Sequence, residues 1–312
     1  MLALPEVGMT RSVNVHNGKL SVLCDWIEAS ILFNDDEIST TDVVDVLIEN
    51  QIYDKQDFAN ERVEQAWSVL ADRIAYMQGP LGITVSKNRI VRQQSWARFP
   101  AYGFCMALAC SALYPKWASA WDTPASEQGG YFEELAAESF STTLGGWKVR
   151  RLGWAPNSPV KLRDVIYDII AELNAKEGAE LHMHVDQHTN ELGLDLLAYQ
   201  SYGDAHASLP ILLIQCASGK NWVDKRQSPD LTIWNAIVSF GSRPVRGFVM
   251  PFAFADQIEF RREATSVDGV FVDRNRLLGA FPRNAGKVSI RLSRKLSAWT
   301  RAQIRALPKD SA

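Results

Sequence analysis

Two polar residues stand inside apolar runs where side-chain chemistry would have to justify them. In the segment LGLDLLAY the single acid is Asp195, and desolvating a carboxylate is costly unless a cation or hydrogen bonds compensate. In ILLIQCASG the two-residue alternation of a strand puts Leu213, Gln215 and Ala217 on one face, so Gln215 is an amide among apolar neighbours. If these two strands pair in register, the Asp195 carboxylate, the Gln215 amide oxygen and a nearby backbone carbonyl could form the oxygen-rich site that Mg²⁺ prefers. A second constellation is HMHVDQH. Read as a strand, it puts His182, His184, Asp186 and His188 on one face, a set suited to a transition metal such as zinc. A His-rich polar hairpin edge is the plainer reading, with His188 or Glu191 bordering a cleft.

The elements that must position Asp195 and Gln215 have an α/β rhythm from Gly129 onward. YFEELAAESFSTTL is a helix with Phe132, Leu135, Ala136, Ser139, Phe140, Thr143 and Leu144 on one face, stopped by Gly145-Gly146. At 100° per residue, Glu133 lies about a quarter turn from the centre of that stripe, while Glu134 and Glu138 point nearer to solvent. WKVRRLGW reads as the first strand. An amphipathic helix from about Val160 to Lys176 looks like an insertion before the strands GLDLLAY and PILLIQCAS, and SRPVRGFVMPFAF supplies another strand. Trp234 and Ile237 share a helix from Asp230 to Phe240, and Trp222 after the Gln215 strand closes the core edge or stacks on an unpaired base.

Upstream, Leu20 to Phe33 reads as an apolar helix, and Thr40 or Thr41 caps a second one with Asp42 in its first turn. A third runs from about Phe58 to Met77 with Val63, Ala66, Trp67, Leu70, Ile74 and Met77 as its apolar stripe. ITVSKNRIVRQQ is a hairpin turning at Lys87-Asn88. Helices followed by a hairpin resemble a winged helix, but Asp35, Asp36, Glu37, Asp42, Asp45 and Glu49 stand where a DNA-reading helix wants cations. A scaffold or protein-partner domain fits better. Tyr102 to Leu113 is apolar all round and should be buried, and Pro115 to Gly130 reads as a loop. The expected division is a mostly helical domain over residues 1–125 and an α/β domain over residues 126–312.

Charge is distributed unevenly. Residues 257–312 hold 12 Lys and Arg against 5 Asp and Glu, whereas residues 1–256 hold 21 against 31. Arg291, Arg294, Lys295, Arg301 and Arg305, around an amphipathic helix, suit contact with phosphates through electrostatics rather than sequence reading. The formal net charge of -3 excludes a uniformly basic nucleic-acid coat. Cys24, Cys105, Cys110 and Cys216 form no C-x-x-C pair, which favours reduced thiols. With no leader pattern and no long uncharged apolar run, a cytoplasmic protein without a membrane span is expected. Dinucleotide, P-loop and nucleophile-elbow motifs are lacking.

The order and texture of FEELAAESFSTTLGGWKVRR, GLDLLAY and LLIQCASGKNW resemble the restriction-endonuclease-like superfamily, known by its PD-(D/E)xK signature, over about Gly129 to Phe254. The resemblance implies a mixed sheet flanked by helices, a helix bearing a glutamate, a strand bearing the metal-binding aspartate, and a strand carrying Glu or Gln, a spacer and a lysine. Carried over, Glu133, Asp195 and Gln215 fill the first three roles, and Asp195, Gln215 and Cys216 hold Mg²⁺ or Mn²⁺. The lysine position is Ala217, so Lys220 is the first candidate replacement and Lys225 the second. The implied activity is metal-dependent hydrolysis of phosphodiesters, DNA before RNA, in a prokaryotic restriction or anti-phage defence system. The alternative is a nuclease-fold subunit that has lost catalysis and binds nucleic acid or a partner protein.

Overall fold

The structure, a computed structural model, describes residues 1–9, 19–77, 82–152, 162–185, 192–281 and 288–310. It is mixed α/β and forms two compact units. The first comprises Met1–Thr123, Pro251–Phe260 and Asp273–Ala312; the second comprises Pro124–Met250 and Arg261–Val272. No helix among the described residues is long and apolar enough to cross a membrane.

The first unit is mostly helical because its apolar residues recur at three- and four-residue intervals. The helix Leu20–Phe33 packs on Gln56–Tyr76 and Pro100–Leu113. Pro100–Leu113 is buried almost throughout, as its continuous apolar sequence requires. The helix Thr40–Glu49 is capped by Ser39, not by Thr40 or Thr41: the Ser39 hydroxyl accepts from Asp42 N while Asp42 accepts from Ser39 N. That reciprocal cap satisfies two otherwise orphaned donors and is worth about 1 kcal/mol. The hairpin Ile83–Val85 and Arg89–Arg92 forms as expected, and Glu37–Ser39 adds a third antiparallel strand beside it.

Two expectations need correction here. The stretch from Pro115 to Gly130 is not a loop: Pro115–Ser119 is helical, and Ala125–Thr143 begins a full turn before Gly129-Gly130 and passes through both glycines. The basic C-terminal segment does not belong with residues 126–250. Its helix, Ile290–Ile304, buries Leu292, Leu296 and Trp299 against Pro100–Leu113 in the first unit. The reason is the apolar stripe, since Trp299 meets Phe104 edge-on at 5.1 Å and such contacts outweigh the charge of the opposite face.

The second unit is built on one five-stranded sheet, whose strands we number β1 (Lys148–Arg151), β2 (Leu196–Tyr199), β3 (Ile211–Cys216), β4 (Val245–Val249) and β5 (Gly269–Val272). They lie side by side in chain order. The β1–β2 and β2–β3 pairs are antiparallel and the β3–β4 and β4–β5 pairs parallel, so β2 alone runs against the rest. Central strands β2 and β3 read as near-continuous apolar runs because both faces are covered. On one face Val165, Ile166 and Ile169 of the helix Leu162–Glu172, with Trp234 and Ile237 of Leu231–Ile237, join Leu197, Tyr199, Ile211 and Leu213 in a single core. The helix Ala125–Thr143 packs on β1, β2 and β3, burying Phe132, Leu135, Ala136 and Phe140.

Candidate active site

Register brings the two sequence-selected polar residues together. Leu196 stands opposite Ile214, so the next residues outward, Asp195 and Gln215, face one another just beyond the last paired rung of the β2–β3 ladder. At that point Asp195 N donates to Ile214 O at 3.0 Å, one residue off the register of the ladder, and Leu152 N donates to Asp195 O at 3.0 Å. Asp195 is therefore held by backbone on both flanks, by β3 and by the end of β1.

Its carboxylate is tightly engaged. One oxygen, Oδ2, accepts from Cys216 N at 2.6 Å and from Gln215 Nε2. The same Gln215 nitrogen donates to the Cys216 carbonyl at 3.2 Å. A carboxylate oxygen and a carbonyl oxygen thus converge on one donor atom, which is the electrostatic position a cation between them would take. Gln215 is 5% exposed, so this amide lies among apolar neighbours as its strand position implied. Gly193 shapes the other side of the amide. Its φ is +65°, and a Cβ there would lie 3.2 Å from Gln215 Oε1 and 2.7 Å from Ser228 Cβ. Only glycine allows this close approach of backbone to amide.

Glu133, on the helix Ala125–Thr143, is at the edge of the buried face as the helical wheel predicted, with its side chain 17% exposed. Its described partner is not a metal-binding group but Arg151 at the end of β1, whose Nε donates to Glu133 Oε2 at 2.8 Å. Sequence reasoning passed over Arg151. The adjacent Arg150 points to the other face of β1 and is saturated by two acids, Glu172 at 2.8 Å and Asp168 at 3.0 Å. By register Arg150 lies opposite Leu197 and Arg151 opposite Leu196, so alternation gives Arg150 the sheet face of Asp195 and Gln215 and gives Arg151 the face covered by Ala125–Thr143.

The Cys216 thiol reports on the charge around it. Burial pushes its pKa well above the ordinary range; Asp195 and Glu133 push it further, and Arg151 and Lys225 pull it the other way. The thiol stays protonated at neutral pH, so Cys216 offers the site a carbonyl oxygen and not a thiolate. Ala217 is 2% exposed, and no cation projects from the place where the resemblance would put a lysine. Lys220 lies exposed in the turn after β3, and Lys225 ends the short helical turn Trp222–Lys225. Of the two, Lys225 is the one whose charge acts on Cys216. Trp222 packs against Phe248 and Phe271, with centroids at 6.3 and 6.4 Å, as a closure of the core edge.

The histidine constellation is corrected by the structure. His182 and His184 belong to a short helix, Leu181–Val185, where a two-residue spacing points side chains about 200° apart rather than along one face. Asp186, His188 and Glu191 lie outside the described residues. Among the described residues no group of three or more His, Cys, Asp or Glu side chains is arranged to hold a metal. A site at Asp195 would therefore draw on amide and carbonyl oxygens beside carboxylate, a donor set that suits a hard cation and not zinc. No protein-family model matches the chain, and neither does any curated protein or solved structure.

Proposed function

We propose that this protein is a metal-dependent nuclease of the restriction-endonuclease-like type, hydrolysing phosphodiester bonds, of DNA before RNA. The observation that carries the reading is the convergence of the Asp195 carboxylate and the Cys216 carbonyl on Gln215 Nε2, at the β2–β3 edge beside a glutamate-bearing helix. Helix, β1, aspartate strand and glutamine strand follow one another in the order the resemblance implies, and they adjoin in one sheet. A restriction or anti-phage defence role rests on the resemblance alone.

In this reading Asp195, Gln215 and the Cys216 carbonyl hold Mg²⁺ or Mn²⁺. A divalent cation bound there supplies a water of lowered pKa and offsets charge growing on the phosphate oxygens. Asp195 is the principal ligand, and its orientation comes from the Cys216 N–H and the flanking strands. Gln215 completes the oxygen shell once its amide turns over to bring Oε1 where Nε2 now donates to Asp195 and Cys216, or it holds the attacking water. Glu133, carried over by the resemblance as the helix acid, is paired with Arg151.

Nucleic-acid contact is supported independently by the first unit. Arg291, Arg294, Arg301 and Arg305 are exposed on the Ile290–Ile304 helix and its cap, within a stripe of about 80° and over about 21 Å of helix axis. The segment from Ile290 to Arg305 contains no acid of its own. Like charges at three- and four-residue spacing repel, and a phosphate backbone relieves that repulsion.

The buried Ala217 supports one second reading, a nuclease-fold subunit that binds nucleic acid without cutting it. Incubating the protein with plasmid and single-stranded DNA in Mg²⁺ or Mn²⁺ against EDTA separates the two. Metal-dependent cleavage that falls at least about 100-fold in Asp195→Ala is expected. DNA binding without cleavage under any metal would establish the second reading instead.

A further inference from the structure

The Gln215 amide presents its nitrogen, not its oxygen, to the other two groups of the site. Nε2 donates to the Asp195 carboxylate and the Cys216 carbonyl, and Oε1 is turned toward Gly193. We propose that Ser228 is the positioning residue for this amide, its hydroxyl accepting from Nε2 once the amide turns over and Oε1 joins those two oxygens around a cation. This rests on the reading of the β2–β3 edge as a cation site and specifies how Gln215 enters it.

The geometry places Ser228 at the right edge of the amide. A Cβ built on Gly193 would lie 3.1 Å from Ser228 Oγ and 3.2 Å from Gln215 Oε1. Both oxygens therefore border one gap, which persists because residue 193 carries no side chain. Among the described residues neither oxygen takes part in a hydrogen bond, although Gln215 is buried and buried amides are ordinarily paired. The segments on both sides of the gap are pinned. Buried Trp234 donates to the Leu192 carbonyl at 3.1 Å, and buried Arg246 donates to the Pro229 carbonyl at 3.0 Å. Ser228 N itself donates to Lys225 O at 2.8 Å.

Electrostatics decides which end of the amide faces the site. Without a cation, turnover would set Oε1 against two other oxygens, so Nε2 holds that place. A cation reverses the preference, and the two amide N–H donors then face the gap beside Ser228. Buried donors left without an acceptor are costly, and a serine hydroxyl accepts while its own proton rotates to suit. No hydrogen bond joins Ser228 to Gln215 in the present orientation, so removing the hydroxyl is felt only after turnover. Asp195 keeps the Cys216 N–H throughout.

The test titrates Mn²⁺, read by electron paramagnetic resonance, into the full chain and into Ser228→Ala, Gln215→Glu and the double variant, with thermal melting of each in EDTA. Ser228→Ala should bind Mn²⁺ about tenfold more weakly and melt in EDTA close to the parent. Gln215→Glu is the discriminating background, because a carboxylate presents an oxygen without turning over and has no N–H to satisfy. There Ser228→Ala should change Mn²⁺ affinity by less than about threefold, whereas a general structural role for Ser228 predicts the same tenfold loss in both backgrounds. If the parent binds Mn²⁺ and Ser228→Ala binds it equally well, or if the loss persists in Gln215→Glu, the assignment of Ser228 fails and the cation reading survives. Loss of binding in Gln215→Glu alone would also overturn it, since residue 215 would then not be giving an oxygen to the cation. If the parent binds no Mn²⁺, both fail.

Discussion

Each unit contains a cluster of charges drawn into its interior, and the two clusters are built on opposite principles. In the first unit Asp25 and Glu28 of one helix meet Arg73 of another and Arg274 from near the C-terminus. Both arginines contact both acids at 2.7 to 2.9 Å, and Tyr102 donates to Glu28 at 2.7 Å. Two negative charges face two positive ones, and Arg274 is fully buried. Burial pulls the Arg274 guanidinium pKa down, but Glu28 and Asp25 more than reverse this and hold it firmly charged. Nε of both arginines and Nη1 of Arg274 lack acceptors among the described residues, so charge is matched more fully than donors are.

The second unit's cluster lies at strand ends and is only partly buried. Asp195 accepts from the Cys216 N–H and from Gln215 Nε2, and the Arg151 guanidinium that pairs with Glu133 is partly exposed. A closed, neutral network crosses the chain from residue 25 to residue 274 and ties it together. The edge cluster instead sets two oxygens around a single donor at the end of a ladder. Buried charge alone therefore does not mark a site.

The largest stability effect should come from the closed cluster. Arg274→Met leaves two buried acids with one arginine and should cost about 3–5 kcal/mol, read as a lowered urea midpoint. Tyr102→Phe removes one donor from Glu28 and should cost about 1–3 kcal/mol. At the open cluster the ranking inverts: Asp195→Asn should change unfolding free energy by no more than about 1 kcal/mol while abolishing metal-dependent cleavage. Equal destabilisation by Arg274→Met and Asp195→Asn would erase the distinction between the clusters.

The smallest expected effect is a pH dependence at Asp273, which caps the helix Arg274–Gly279 by accepting from Arg276 N at 3.0 Å. Burial raises its pKa, and the Arg276 N–H and the charges of Arg274, Arg276 and Arg73 only partly offset this. A carboxyl whose folded pKa is raised favours the fold while protonated, and that contribution is lost as pH rises from the ordinary carboxylate range through the folded value. Asp273→Asn keeps a capping oxygen and does not titrate. The melting difference between variant and parent should therefore shift in the variant's favour as pH rises through that window; parallel curves would contradict it.

Legibility in the sequence tracks physical cause. The strands around Asp195 and Gln215 were readable because central strands covered on both faces appear as apolar runs, and a single polar residue within each stands out. Register could be posed only as a condition, since pairing depends on contacts 20 residues apart. The start of the helix Ala125–Thr143 was missed because Gly129-Gly130 looked like a breaker, when Gly130 instead gives Arg151 room. Arg73 and Arg274 carried no signal, because a charged residue on a helix ordinarily faces water and their acids lie far away in the chain. The C-terminal helix was assigned by charge and placed by its apolar stripe.

The most direct measurement is Mn²⁺ binding by electron paramagnetic resonance, titrating the full chain and Asp195→Asn. The account predicts one bound Mn²⁺ per chain in the parent, displaced by Mg²⁺ and lost in Asp195→Asn, with melting of the two proteins nearly the same. No bound Mn²⁺ in the parent, or undiminished binding in Asp195→Asn, would contradict the assignment of the β2–β3 edge as a cation site.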